Sequence, residues 1–284
     1  MKKATHPLLQ LLVMLAISLG MMLVSSIVSA PILLISSSSQ SASALLWVQA
    51  LTQLLTFFVP VLLTTLIYYR GQQREYYKLD FHGRQWYYAL VGIVVMMLLV
   101  PLNDSLTQWN EGWDFGQFGD MLRSVQDKTE DILRQMMSVT TVGGLLSNLL
   151  VVAFVAALCE EVFFRAGIQN LLFRWVRNPH VAIWLTALIF SLGHGEVFAF
   201  VPRFVMGATL GYLYHYSNSI LPNFMAHFFN NALVVVLYWL SARGVVGIDP
   251  EAPLSAGLWL TVGCTLAALA LFFVTFGKKL KIKQ

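Results

Sequence analysis

Apolar runs alternate with short polar breaks along the whole chain, and the runs are long enough to predict membrane-spanning helices. The first covers residues 8–35, after a basic start at residues 1–3. It is longer than the apolar stretch of a secretory signal. Pro31 would also sit badly just past a cleavage site at Val28-Ser29-Ala30, so we read a retained first helix. A serine-rich turn, 36–43, precedes a second span, 45–69, in which Pro60 predicts a kink. Residues 70–85 form a loop with Arg70, Arg74, Lys78 and Arg84, and 86–102 form a third span whose first residues are aromatic, as in an interfacial belt. Residues 103–137 are the longest polar segment. Met121, Leu122, Val125, Ile132 and Leu133 recur there at mixed helical spacing, which suits a helix on the membrane surface, although a solvated connector is the plainer expectation. A fourth span begins near Ser138 and turns at Asn178-Pro179. Spans at 180–193, 197–216, 220–240 and 256–276 bring the count to eight, with Gly207 and Gly211 spaced to let a neighbouring helix approach closely.

Composition agrees with this pattern. Of 284 residues, 57% are hydrophobic and 11% charged, with mean hydropathy +0.69. A soluble domain carries about 25% charged residues. The expected class is therefore all-α: a polytopic membrane helical bundle of about eight helices. We expect one integral membrane domain over 1–284, a catalytic core at about 138–240 and a polar extramembrane or surface-helix segment at 103–137. The net charge of +4 comes from residues at loop ends rather than on one soluble face, so nucleic acid is not an expected partner. The loops after spans two and four are basic, those after spans three and seven net acidic, and both termini basic. That parity predicts cytoplasmic termini. Cys159 and Cys264 lie in apolar context, so no disulfide is expected, and nothing has metal-cysteine spacing.

Chemistry concentrates at Cys159-Glu160-Glu161-Val162-Phe163-Phe164-Arg165, which follows an apolar run, 142–158, broken only by Ser147 and Asn148. A charge at bilayer depth costs at least ~2.5–3.5 kcal/mol, so such groups are rare and usually functional. A hydrated helix end is the bland alternative. Glu161 and Arg165 are i, i+4 and can pair. Glu160 lies about 100° round the helix, available for other work. His194 follows Phe190 by four residues, and His227 precedes Asn231 by four. Each alone is more often hydrogen-bonded packing than catalyst. Glu160 and His194 lie at equal distances before and after residue 177 at the turn, so on antiparallel helices they can face each other at one depth. His227 and Asn231 share a helix face. A buried glutamate can act as general base for water, a histidine beside it can hold that water, and a histidine and an asparagine can donate to an oxyanion. Together they fit amide hydrolysis inside a membrane.

Glu160-Glu161-x-x-x-Arg165, Phe190-x-x-x-His194 and His227-x-x-x-Asn231, in this order, resemble the CPBP family of intramembrane proteases. That family includes eukaryotic CaaX prenyl endopeptidases and bacterial bacteriocin-processing and self-immunity proteins. The glycine that usually follows the motif arginine is displaced by one, because Ala166 precedes Gly167. The resemblance implies an endopeptidase in which Glu160 activates water with help from His194, His227 and Asn231 form the oxyanion hole, and Glu161 and Arg165 are a supporting pair. It implies as partners the lipid bilayer and a peptide or membrane-protein substrate, CaaX or leader type, in a cell membrane; composition and the lack of an organelle signal make a bacterial inner membrane the expected one. No cofactor is expected, since there is no H-E-x-x-H helix. Zinc held by Glu160, His194 and His227 stays open, since these are legitimate ligand types. Cys159 is read as a small buried residue: it faces away from Glu160, and an apolar setting disfavours the thiolate. Arg203 either snorkels to the interface or pairs with Glu196, with no catalytic role. A proton-coupled transporter is disfavoured, because no repeat relates the two halves and the polar groups cluster in the second. A non-catalytic scaffold or immunity protein of the same fold remains as the alternative.

Overall fold

A computed structural model describes residues 5–36, 42–245, 247, 249–250 and 252–281. The basic start at 1–3, most of the serine-rich turn (37–41), Glu251 and the tail residues 282–284 lie outside the described residues. Ten principal helices follow one another: α1 (Pro7–Ser36), α2 (Ala42–Tyr68), α3 (Gly83–Leu98), α4 (Val100–Glu111), α5 (Gly116–Met137), α6 (Val142–Val176), α7 (Pro179–Gly193), α8 (Phe200–Ser217), α9 (Ile220–Ala242) and α10 (Leu258–Lys281). No strand occurs among the described residues. The protein is an all-α polytopic bundle, and among the described residues six helices are long and apolar enough to cross a membrane, or seven if the bent pair α3–α4 counts as one span.

Two expectations need correction, and a third element, the fifth span, keeps its bounds but is too short to rank with the full-length spans. The third span does not stop at residue 102. The chain breaks after Leu98 and resumes as α4 at a 44° angle. Pro101 lies in the first turn of α4, where its missing N–H is tolerated and the preceding helix cannot run straight through. The segment 103–137 is helical, forming most of α4 and all of α5, rather than a solvated connector. Phe118, Met121 and Val125 of α5 are exposed on one stripe while Met136 and Met137 are buried, the pattern of a helix lying along an apolar boundary. The fifth span is short: α7 has 15 residues, about 22 Å of helix against a ~30 Å hydrocarbon core.

Local chemistry sets the helix ends and irregularities. Thr141 caps α6 by accepting from Gly144 N at 3.1 Å. Arg177 ends it in a left-handed conformation at φ 55°, and Asn178 caps α7 by accepting from the N–H groups of His180 and Val181, with Pro179 in the first turn. In α2 the Pro60 ring removes the N–H that would serve Thr56. The backbone is π-helical over Leu54–Phe58, and the Ser18 hydroxyl donates to the Thr56 carbonyl at 2.7 Å. In α6 two π-helical stretches, Leu149–Val155 and Val162–Gln169, flank one regular stretch, Ala156–Glu161. Such bulges frequently mark functional sites.

The basic loop between α2 and α3 is clamped rather than free. Ser219 Oγ donates to the Asp80 carbonyl at 2.8 Å, Asn170 Nδ2 donates to the Tyr76 carbonyl at 3.4 Å, and the Arg174 guanidinium lies 4.9 Å from the Tyr69 ring centre. The backbone N–H of His82 holds the Asp80 carboxyl below the usual carboxylate range.

α8 packs closely on α7 along Gly207 and Gly211. A Cβ at Gly211 would lie 2.9 Å from Ile183 Cγ2 and 3.0 Å from Gln169 Oε1. Gly211→Ala is therefore expected to cost about 1–3 kcal/mol through overpacking, read as a lower unfolding midpoint in detergent.

Candidate active site

α6, α7 and α9 meet around the two glutamates. Glu161 and Arg165 are fully buried, and the carboxylate makes three contacts. Its Oε2 accepts from Arg165 Nε at 3.0 Å and from Asn223 Nδ2, and its Oε1 accepts from His227 Nδ1 at 2.9 Å. Arg165 Nη1 and Nη2 have no hydrogen-bond partner among the described residues, and the guanidinium lies 5.5 Å from the ring centre of Phe190. An ion pair in this setting is held by geometry and added hydrogen bonds rather than by bare Coulomb attraction.

Glu160 points the other way. Its Oε2 lies 3.9 Å from His194 Nε2 and 3.8 Å from His227 Nε2. These gaps are too long for direct hydrogen bonds and suit one small molecule held between the three groups. Partners on the far side of each ring decide the tautomers. A backbone carbonyl only accepts, so His194 Nδ1, 2.7 Å from the Phe190 carbonyl, carries a proton. An ionised Glu161 likewise requires a proton on His227 Nδ1. Both Nε2 atoms thus turn toward Glu160, as acceptors in the neutral rings and as donors when the rings are doubly protonated. Phe190 is fully buried, with its ring centre 4.7 Å from that of His194 and 5.0 Å from that of Phe164. It fixes the ring of His194 as well as its tautomer.

The glutamate opens into a cavity of about 340 Å³, lined by Gln53, Glu160, His194, Glu196, Arg203 and Asn231 among others. Ile132, Leu133, Met136 and Met137 of α5 form part of its wall, so the polar segment contributes directly to the site. The turn after His194 is not helical up to Val197. Such backbone is tolerated at membrane depth where it lines a cavity. It is tied down by Asn110 of α4, which donates to the Val197 carbonyl at 3.0 Å and accepts from Val201 N at 2.7 Å. Arg203 pairs with Glu196 in the cavity wall. Cys159 is fully buried and is not among the residues lining the cavity. Among the described residues no group of three or more His, Cys, Asp or Glu side chains is placed to hold a metal ion.

Two contacts were not anticipated from the sequence. Asn223 completes a polar stripe with His227 and Asn231 at i, i+4, i+8 on α9, and that spacing was the available signal. Gln53 of α2 donates from Nε2 to Glu160 Oε1 at 3.3 Å. It stands four residues after Gln49 in an otherwise apolar stretch, a weaker signal of the same kind.

A family model described as Type II CAAX prenyl endopeptidase Rce1-like matches residues 142–233, about a third of the chain. No curated protein and no solved structure matches. The matched segment runs from the start of α6 into α9 and holds all three motifs. That segment, whose helices bring Glu160, His194 and His227 together, is similar to the CaaX endopeptidase (CPBP) family of membrane proteases and supports a place for it there.

Proposed function

We propose that the protein is an intramembrane endopeptidase that hydrolyses a peptide bond in a membrane-associated substrate of CaaX or leader type, using a water activated by Glu160. The observation that carries this reading is the position of Glu160 Oε2, 3.9 and 3.8 Å from two imidazole nitrogens, inside a cavity walled by membrane helices.

The water sits against Glu160 Oε2 and His194 Nε2. Its oxygen attacks the scissile carbonyl carbon while one of its protons passes to Glu160. The carbonyl oxygen gains the electron pair. Asn231 Nδ2 and the doubly protonated His227 donate to it, His227 through Nε2. Glu160 then returns the proton to the leaving nitrogen as the oxyanion re-forms the carbonyl and the C–N bond breaks, giving a carboxylic acid and an amine, between which the remaining acid proton passes to leave a carboxylate and an ammonium group. Glu161 acts through His227: its grip on Nδ1 aims Nε2 at the reacting centre. The basic loops and termini support cytoplasmic ends, and a cell membrane, expected to be a bacterial inner membrane, is the proposed location.

The test is a fluorogenic panel containing a farnesylated CaaX peptide, its unprenylated form and a leader-type peptide, offered to purified enzyme in detergent. Cleavage of at least one member is expected to persist in Cys159→Ala and in the presence of a strong zinc chelator. Loss in Cys159→Ala, with the protein still folded, would move the nucleophile to the thiol. Loss with chelator, restored by zinc, would make the enzyme a metalloprotease.

A further inference from the structure

We propose that Gln53, on α2 and outside the segment that matches the protease family, is a positioning residue that sets the carboxylate of Glu160. The inference rests on the reading of Glu160 as the base and deepens it.

A glutamate side chain has three rotatable bonds, and a catalytic carboxylate must present one oxygen in one direction. Glu161 is fixed by three partners, as described above. Glu160 has no such cage. Among the described residues its polar contacts are the two histidines at 3.8–3.9 Å, both to Oε2, and one hydrogen bond to Oε1. That single bond comes from Gln53 Nε2. By occupying Oε1 it settles which oxygen faces the imidazoles and in which plane the carboxylate lies.

The orientation of the amide follows from the chemistry. An ionised carboxylate only accepts, so the NH2 group must face it. A flipped amide would set two acceptor oxygens against each other. The carbonyl oxygen of Gln53 is left buried with no hydrogen-bond partner among the described residues. A buried acceptor without a partner is unfavourable unless something else favours the residue. Its presence beside a polar cavity fits a residue retained for the contact its other end makes.

The fold explains why this amide reaches α6. Gln53 is the last residue before the π-helical stretch Leu54–Phe58, whose irregular carbonyl at Thr56 is satisfied by Ser18 of α1. The irregularity created by Pro60 is thus anchored to α1 within one turn of Gln53. α2 also packs on α6 through Phe57, whose ring centre is 5.1 Å from that of Phe163. The first two helices, which contribute nothing to the family match, thereby hold the base.

The experiment compares Gln53→Met, Glu160→Gln and Thr64→Val with wild type for kcat, KM and melting temperature on whichever panel peptide wild type cleaves. Methionine keeps the length and volume of glutamine and removes the donor. Thr64→Val is a polar-to-apolar change on the same helix at a hydroxyl that donates to the Pro60 carbonyl within its own helix. Gln53→Met is expected to lower kcat about 10- to 100-fold, the scale of a misplaced catalytic group, with KM within about twofold and an unchanged melting temperature. Thr64→Val is expected to keep wild-type kcat. Wild-type kcat in Gln53→Met beside an inactive Glu160→Gln would overturn the role of Gln53 alone. So would a rise in KM with kcat unchanged, which would make Gln53 a substrate contact. An active Glu160→Gln would overturn the underlying assignment of the base.

Discussion

Glu160→Gln is expected to abolish peptide cleavage while leaving the protein folded. The substitution is isosteric, and the new amide oxygen can still accept from Gln53 Nε2. The packing among α2, α6 and α7 has no reason to change. What disappears is the ability to take a proton from water beside His194 and His227. Positioned proton transfer contributes about 10²–10⁴-fold, so kcat is expected to fall by at least that range. Melting in detergent should stay near wild type, because a group at a cavity wall is relieved, not strained, by losing its charge. Steady-state kinetics and a thermal melt on one preparation check both halves.

The second large effect is on stability. Arg165→Ala is expected to cost about 3–5 kcal/mol, because it leaves the Glu161 carboxylate fully buried with its cationic partner gone. Activity should fall as well, since Glu161 orients His227 through Nδ1. Arg165→Lys is not a conservative replacement: a point charge cannot reproduce the Nε contact while lying against the face of Phe190. Removing both charges, as Glu161→Gln with Arg165→Met, should recover much of the stability and none of the activity. Denaturant unfolding in detergent measures the first quantity and kcat the second. A wild-type unfolding midpoint in Arg165→Ala would contradict the view that the buried Glu161 carboxylate depends on this cation.

The elements that could be read from the sequence were those with strong periodic or charged signals. The long apolar runs became α1, α2, α6, α8, α9 and α10, with ends displaced by a few residues. The Glu161–Arg165 pair followed from i, i+4 spacing in an apolar run. The depth match of Glu160 and His194 followed from counting residues to the Asn178-Pro179 turn, and the two side chains lie 3.9 Å apart. What escaped depends on tertiary packing. The bend after Leu98 requires knowing that Pro101 starts a new helix rather than ending the old one. The role of α5 as a cavity wall cannot be seen in a segment whose apolar residues are half exposed. Asn110 looks like any polar residue in a connector until the turn after His194 is placed against it. Gln53 lies 107 positions from its partner, and an isolated glutamine in an apolar helix has many structural explanations.

The central claim is that Glu160 drives peptide hydrolysis inside the membrane bundle. Its most direct test is mass spectrometry of the farnesylated CaaX, unprenylated and leader-type peptides after incubation with wild type and Glu160→Gln reconstituted in lipid vesicles. The expected result is one defined internal cleavage of at least one peptide by wild type, absent with a folded Glu160→Gln. The same cleavage at the same rate by both proteins would contradict the account, and so would intact peptides throughout with both proteins folded, which is the outcome for a non-catalytic scaffold.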